Sequence, residues 1–159
     1  MKKIHALALV SSLFLLAACD SMGTDSGDAS GAGAAGTGTG VLGQTSDGVN
    51  VGDRVFFAFD SSVLTAESQA TLDRQSQWLK QHPSVNVVVE GHADERGTRE
   101  YNLALGERRA SAARNYLIST GVSAARISTI SYGKERPAVM GHDESAWSQN
   151  RRAVTVIAN

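Results

Sequence analysis

Residues 91–110 place an acid, an amide, an apolar side chain and an arginine where they can act together on one small ligand. Asp94 lies in a loop bounded by glycines. The helix predicted after this loop carries three residues on one face, at spacings of three and four: Asn102, Leu105 and Arg109. A carboxylate and a planar guanidinium together complement a zwitterion, which has an ammonium and a carboxylate on the same carbon. The stretch therefore predicts capture of a zwitterionic ligand rather than catalysis.

The charged residues of this stretch also have a purely structural interpretation. An acid near a helix start caps amides or offsets the helix dipole, and Arg96 and Arg99 are close enough in sequence to pair with Asp94. Arg108 and Arg109 are adjacent, and twin arginines on a helix usually form a solvated face. Because successive helical residues point about 100° apart, the two arginines need not share a role. The sequence alone leaves both interpretations open.

Other kinds of site are poorly supported. His92, Asp94 and Glu95 are too few for a closed metal site, and His82 and His142 lie in distant segments. The sequence contains no Gly-x-Ser-x-Gly elbow, P-loop or dinucleotide fingerprint. It therefore predicts no metal, no cofactor and no enzymatic activity.

Residues 1–18 have the form of a secretory signal peptide. Lys2 and Lys3 precede an apolar stretch, residues 6–18, that is too short to span a bilayer as a mature helix. The sequence LAAC at residues 16–19 resembles a bacterial lipobox, which implies cleavage before Cys19 and acylation of that residue. The alternative is an incidental thiol in a discarded leader. Acyl chains would hold the protein on a membrane.

The next segment, residues 19–50, is predicted to be a lipidated N-terminus followed by a flexible tether. From Asp20 onward it is rich in Gly, Ala, Ser and Thr and has no aromatic residue, Lys or Arg, so it cannot bury enough apolar surface to fold. A cloning or pro-segment linker is the alternative. Loss of Lys2 and Lys3 with the leader takes the formal net charge from −1 to −3, which argues against nucleic acid as a partner.

Residues 51–159 are predicted to form one α+β domain of order β-α-β-α-β-β. Four strands form a mixed sheet, and two helices pack on one of its faces. The predicted strands are residues 55–59, 85–90, 127–132 and 154–157. The predicted helices are residues 66–81, capped by Thr65, and 99 to 119 or 120, capped by Thr98 and ended by Gly121. Residues 133–149 are predicted to be a polar loop with at most one helical turn near Trp147. Small and medium residues at spacings of three and four predict the core-facing stripe of the second helix: Leu103, Gly106, Ala110, Ala113 and Leu117.

Several motifs resemble the OmpA-like peptidoglycan-binding domain family, and together they cover the folded portion. They are FAFD at residues 57–60, GHADERG at 91–97, YNLALG at 101–106, RRA at 108–110 and NRR at 150–152. SYGKERP at residues 131–137 and the segment from GHDE to Trp147 at 141–147 are similar to the lipid-anchored members of the family.

The resemblance implies non-covalent binding of the diaminopimelate side chain of peptidoglycan stem peptides. Asp94 and Arg109 match the acid and the arginine that take the two charges of this ligand in the family. Asn102 and Leu105 belong to the same motif, and the end of the first strand, Phe59 with Asp60, matches a position beside the pocket. Ala93 stands where the family usually has threonine, which removes a hydroxyl from the loop.

The resemblance also implies a place in the cell envelope. Lipid-anchored members lie on the outer membrane facing the periplasm, bind the periplasmic β-propeller protein of the Tol system and support constriction of the outer membrane at division. Asp20 follows Cys19 where many relatives have serine. In some bacteria an aspartate there favours retention in the inner membrane, so that location is the alternative.

Overall fold

The computed structural model describes residues 40–43 and 48–158. The predictions for the leader, for Cys19 and Asp20, and for most of the tether lie outside the described residues. The described residues form four strands: β1 (Arg54–Phe56), β2 (Asn86–His92), β3 (Ile127–Gly133) and β4 (Arg152–Ala158). Three α-helices accompany them, with a short 3-10 turn at Ala124–Arg126: α1 (Ala66–Gln81), α2 (Arg99–Ser119) and α3 (Glu144–Asn150).

The strands form one mixed sheet in the order β1-β4-β2-β3. The β2–β3 pair is parallel, and the two pairs that involve β4 are antiparallel. Thr155 of β4 hydrogen-bonds to Gln75 of α1, while Gly91 of β2 touches Gly106 of α2. Gly91 pairs with Ala153, two residues from Thr155, so both helices cover the same face of the sheet. The predicted α+β architecture is confirmed.

The predicted helix starts and the glycine stop are confirmed. The side chains of Thr65 and Thr98 each accept a hydrogen bond of 3.2 Å from the backbone N–H three residues on, at Ser68 and Tyr101. Gly121, just beyond α2, has a φ of +102°, a conformation that favours glycine. Capping residues therefore set the start of both long helices.

The prediction of a first strand at residues 55–59 was wrong in its extent, because the chain leaves the sheet after Phe57. The N–H of Phe57 donates to the carbonyl of Arg151 at 2.9 Å, and Asp60 turns the chain with a φ of +51°. Phe59 is 60% exposed rather than buried. This turn carries Phe59 and Asp60 away from β1 toward the first turns of α2.

Two further expectations about helices are corrected. Residues 144–150 form a complete short helix, α3, whose N-terminus is capped by the side chain of Asp143, where only one turn was expected. Leu103 is about half exposed rather than part of the core, whereas Leu105 is buried. Both leucines lie within one turn of α2, and spacing alone did not separate the buried one from the exposed one.

The predicted boundary of the folded portion at residue 51 was too late. Leu42 is completely buried in the hydrophobic core, and its N–H donates to the carbonyl of Thr155 at 3.2 Å. Val41 forms a β-bridge with Val156. Residues 40–42 thus continue the line of β1 along β4, and they belong to the domain rather than to a tether.

We expect Leu42→Ala to destabilise the domain by about 2–4 kcal/mol, because it removes a fully enclosed side chain and leaves a cavity. Val41→Ala is the matched control. Because the side chain of Val41 is about half exposed, this substitution should lower the free energy of unfolding by less than about 1 kcal/mol. Urea unfolding followed by circular dichroism measures both. Equal stability of the two variants would show that residue 42 is not part of the core.

Candidate functional site

A partly open cavity of about 160 Å³ lies where the loop after β1, the loop after β2 and the first turns of α2 meet. Nine residues line it: Phe59, Asp60, Asp94, Arg96, Gly97, Tyr101, Asn102, Leu105 and Arg109. Two acids and two arginines face a space with a largely apolar wall. Pockets for whole drug-sized ligands have volumes of about 300–1,000 Å³, so this one suits a single side-chain end.

The carboxylate of Asp94 is buried and fully engaged. Its Oδ1 accepts from the backbone N–H of Arg96 at 3.1 Å and from the Nε of the same residue at 3.2 Å. Its Oδ2 accepts from Arg96 Nη2 at 2.6 Å and from Arg151 Nη1 at 3.4 Å. Burial by itself would raise the pKa of Asp94, but these hydrogen bonds and the charge of Arg96 hold it below its ordinary value. Asp94 is therefore an anion at neutral pH.

The guanidinium of Arg96 is held in the cavity wall by more than this ion pair. Its Cζ lies 4.0 Å from the ring centroid of Phe59 and 4.0 Å from that of Trp147 in α3. Cation–π contacts of this kind are attractive and help to fix the position of the guanidinium. The structural interpretation, in which a nearby arginine pairs with Asp94, is thus confirmed for Arg96. Arg99 pairs instead with Glu135 at 3.3 Å.

Arg109 is completely buried, and its guanidinium already serves the fold. Nε donates to the carbonyl of Ser61 at 2.8 Å, Nη1 to that of His92 at 2.8 Å, and Nη2 to that of Ala58 at 3.1 Å. Burial lowers the pKa of Arg109 to about 10, so it remains protonated at neutral pH. An arginine has five N–H groups, and these bonds leave one on each terminal nitrogen for a ligand in the cavity.

The remaining lining residues shape the cavity floor. Asn102 is buried and donates from Nδ2 to the carbonyl of Arg96 at 2.8 Å, which fixes the loop that carries Asp94. Tyr101 donates its hydroxyl to Asp60 and so joins the start of α2 to the loop after β1. Leu105 is buried and supplies the apolar part of the floor.

A set of polar contacts ties the Asp94 loop to the segment between β3 and β4. Glu95 accepts from His142 Nδ1 at 2.8 Å and from the indole N–H of Trp147 at 3.0 Å. Lys134 donates to the carbonyls of Glu95 and Gly97 at 3.1 and 2.7 Å. The cavity wall is therefore supported by two separate parts of that segment.

The structure brings all six predicted site residues of the domain to one cavity, and their role in binding stays a prediction. Cys19, the predicted lipidation site, lies outside the described residues. Sequence reasoning missed Arg96, Tyr101 and Gly97 as lining residues. Their signal was membership of the same two motifs, but nothing in the motifs showed that Arg96 stacks on an aromatic side chain from α3.

Two kinds of feature are absent from the described residues. In residues 40–43 and 48–158, no group of three or more His, Cys, Asp or Glu side chains could hold a metal ion. Over the same ranges, no helix is long and apolar enough to cross a membrane.

Comparison with known proteins shows the family to which the chain belongs. A family model described as OmpA family matches residues 56–151, and the chain belongs to this family, which is non-enzymatic. The C-terminal domain of Helicobacter pylori MotB shares the fold, with a TM-score of 0.63 at 21% identity over 67% of this chain and 84% of that one.

More similar relatives narrow the class. The chain is 57% identical over 152 residues to the peptidoglycan-associated lipoprotein of Rhizobium meliloti (strain 1021), which covers 95% of this chain and 85% of the relative. The crystal structure of the peptidoglycan-associated lipoprotein from Burkholderia pseudomallei matches with a TM-score of 0.65 at 47% identity, over 67% of this chain and 90% of that one. Within the OmpA family, the chain therefore groups with the peptidoglycan-associated lipoproteins.

Proposed function

We propose that the cavity binds peptidoglycan non-covalently, through the zwitterionic end of diaminopimelate in the stem peptide. Asp94 accepts the ligand ammonium, and Arg109 directs its two remaining N–H groups at the ligand carboxylate. The observation that carries the proposal is the cavity itself, which gathers acids and arginines in a space sized for one side-chain end. The names of the related lipoproteins, which describe them as peptidoglycan-associated, support peptidoglycan as the ligand.

The geometry favours recognition of this end of the ligand over catalysis. Asn102 fixes the Asp94 loop, and the three carbonyl bonds of Arg109 fix its guanidinium, so both charges are preorganised before a ligand arrives. Charge-assisted hydrogen bonds contribute about 1.5–3 kcal/mol each.

We expect Asp94→Asn to weaken binding to purified sacculi, and to the tripeptide L-Ala-D-Glu-diaminopimelate, by at least about tenfold, because it removes the charge that the ammonium requires. Glu100→Gln is the matched control, since it removes one negative charge from the exposed first turn of α2 and should leave binding unchanged. Pull-down on sacculi and calorimetry with the tripeptide measure the effect. Arg109 is a poor test residue because its loss also damages the fold.

If Asp94→Asn keeps its fold by circular dichroism and still binds as the parent does, the assignment of Asp94 as the ammonium site is wrong. Release of labelled fragments from peptidoglycan would instead point to a wall hydrolase.

We further propose that the domain is held on the outer membrane by acyl chains on Cys19 and meets the periplasmic β-propeller protein of the Tol system. The supporting observations are the LAAC sequence and the similarity to lipoproteins over 95% of the chain. Density-gradient separation of the two membranes distinguishes this location from the inner-membrane retention that Asp20 suggests. Unchanged propeller binding at saturating stem peptide would exclude competition between the two partners.

A further inference from the structure

Asp94 has no vacant acceptor position for a ligand ammonium. A carboxylate offers about four lone-pair sites, and four donors occupy them here: the backbone N–H, Nε and Nη2 of Arg96, and Nη1 of Arg151. Three of the four come from Arg96, and the shortest, at 2.6 Å, joins its Nη2 to Oδ2. A ligand that donates to Asp94 therefore competes with these donors, and most of them belong to Arg96.

Arg96 stays beside the cavity when this pair opens. Its guanidinium packs against the rings of Phe59 and Trp147, both 4.0 Å away, and neither contact depends on Asp94. Glu144 lies 3.9 Å from its Nη2, too far for a short hydrogen bond. A ligand ammonium that binds Asp94 would thus take the carboxylate partner of Arg96. The guanidinium of Arg96 would remain as a second cation beside the ammonium.

We propose, on the basis of the function proposed above, that Arg96 makes the cavity selective for a zwitterion over a simple amine. A diaminopimelate end inserts into the Asp94–Arg96 pair: its ammonium donates to Asp94, while its carboxylate, held by Arg109, also offsets the charge of the Arg96 guanidinium. Every charge then has a partner. A lysine side chain brings only the ammonium and leaves Arg96 unmatched, so its entry is opposed.

Arg109 is less suited to this discrimination. Its three bonds to the carbonyls of Ala58, Ser61 and His92 remain whether or not a ligand carboxylate arrives. An amine-only ligand therefore leaves Arg109 largely satisfied, whereas it takes away the carboxylate to which the Arg96 guanidinium donates. The free-energy cost of binding a ligand that lacks a carboxylate therefore arises mainly at Arg96.

The test compares the full chain and its Arg96→Gln variant with two probes, the tripeptides L-Ala-D-Glu-diaminopimelate and L-Ala-D-Glu-L-Lys. Calorimetry should give the parent a preference of about tenfold or more for the diaminopimelate peptide. In Arg96→Gln this preference should fall to within about threefold, chiefly because lysine-peptide binding becomes tighter. Arg99→Gln is the matched control: it removes the same charge three residues away, from a side chain paired with Glu135, and should keep the parent preference.

A parent-like preference in a folded Arg96→Gln variant overturns the inference and leaves the proposed function standing. If the parent binds neither peptide, the proposed function fails and the inference fails with it. Arg96→Lys provides a second measurement should the glutamine variant not fold, because it keeps a cation but lacks the fork that bonds Asp94 twice. We expect Arg96→Lys to prefer the diaminopimelate peptide less strongly than the parent and Arg99→Gln do, and more strongly than Arg96→Gln does. A preference equal to that of the parent counts against the inference.

Discussion

Gly91→Ala is expected to destabilise the domain by about 3 kcal/mol or more, a large share of the roughly 5–15 kcal/mol that stabilises a typical domain. A Cβ at residue 91 would lie 1.8 Å from the backbone carbonyl oxygen of Gly106. Both partners are regular secondary structure, since Gly91 is in β2 and Gly106 is in α2. The clash can be relieved only by moving the helix off the sheet, which would also disturb the cavity that the two elements share.

Urea unfolding of the parent and the variant measures this loss. Gly43→Ala is the matched control, because the atoms nearest to its Cβ would belong to the side chain of Asp53, from 3.2 Å, and its backbone needs no positive φ. We expect the control to change the free energy of unfolding by less than about 1 kcal/mol. A Gly91→Ala variant as stable as the control would show that α2 does not approach β2 this closely.

The Gly91–Gly106 contact illustrates how much of the packing between helix and sheet can be predicted from sequence patterns. The spacing of small residues along α2 placed Gly106 on the core face, and the structure agrees. The partner of Gly106 lies in a separate strand, and no local pattern specifies which strand residue a helix will touch. Leu103 and Leu105 show the same limit, since packing against a particular sheet decided which of the two is buried.

Helix starts and the overall order of elements were predictable because they depend on local chemistry. Thr65 and Thr98 cap their helices through bonds to N–H groups three residues away, and this requires no tertiary information. The extent of β1 depended instead on where its distant partner β4 begins, since the bond from the N–H of Phe57 to the carbonyl of Arg151 is in register with the β1–β4 pairs and lies at the start of β4. The burial of Leu42 likewise depends on β4, more than 100 positions later in the chain.

The site was predicted in its composition but not in its internal bonding. The motifs indicated that Asp94, Asn102, Leu105 and Arg109 share a surface, and all four line one cavity. The sequence offered two roles for these charges, ligand capture or structural pairing, as alternatives. The structure shows extensive structural pairing of Asp94 and Arg109, so a ligand must compete with bonds that already exist.

Arg109→Met is expected to destabilise the domain by about 3–5 kcal/mol, because it leaves the carbonyls of Ala58, Ser61 and His92 without their charged donor. Burial of the cation opposes folding, as the lowered pKa of Arg109 indicates, and relief of that cost offsets part of the loss. Two carbonyls of the loop after β1 and one at the end of β2 accept from this one side chain, so the bonds outweigh the relief.

The adjacent arginine provides a matched control for this prediction. Arg108 is exposed, and its guanidinium lies 5.8 Å from the ring centroid of Tyr101, so Arg108→Met should cost less than about 0.5 kcal/mol. Thermal and urea unfolding of both variants separate the two arginines directly. Arg109→Lys should also be destabilised, because an ammonium cannot span three carbonyls as the planar fork does. If Arg108→Met and Arg109→Met were equally stable, the guanidinium of Arg109 would not be the tie between these loops, and its role would be limited to the ligand.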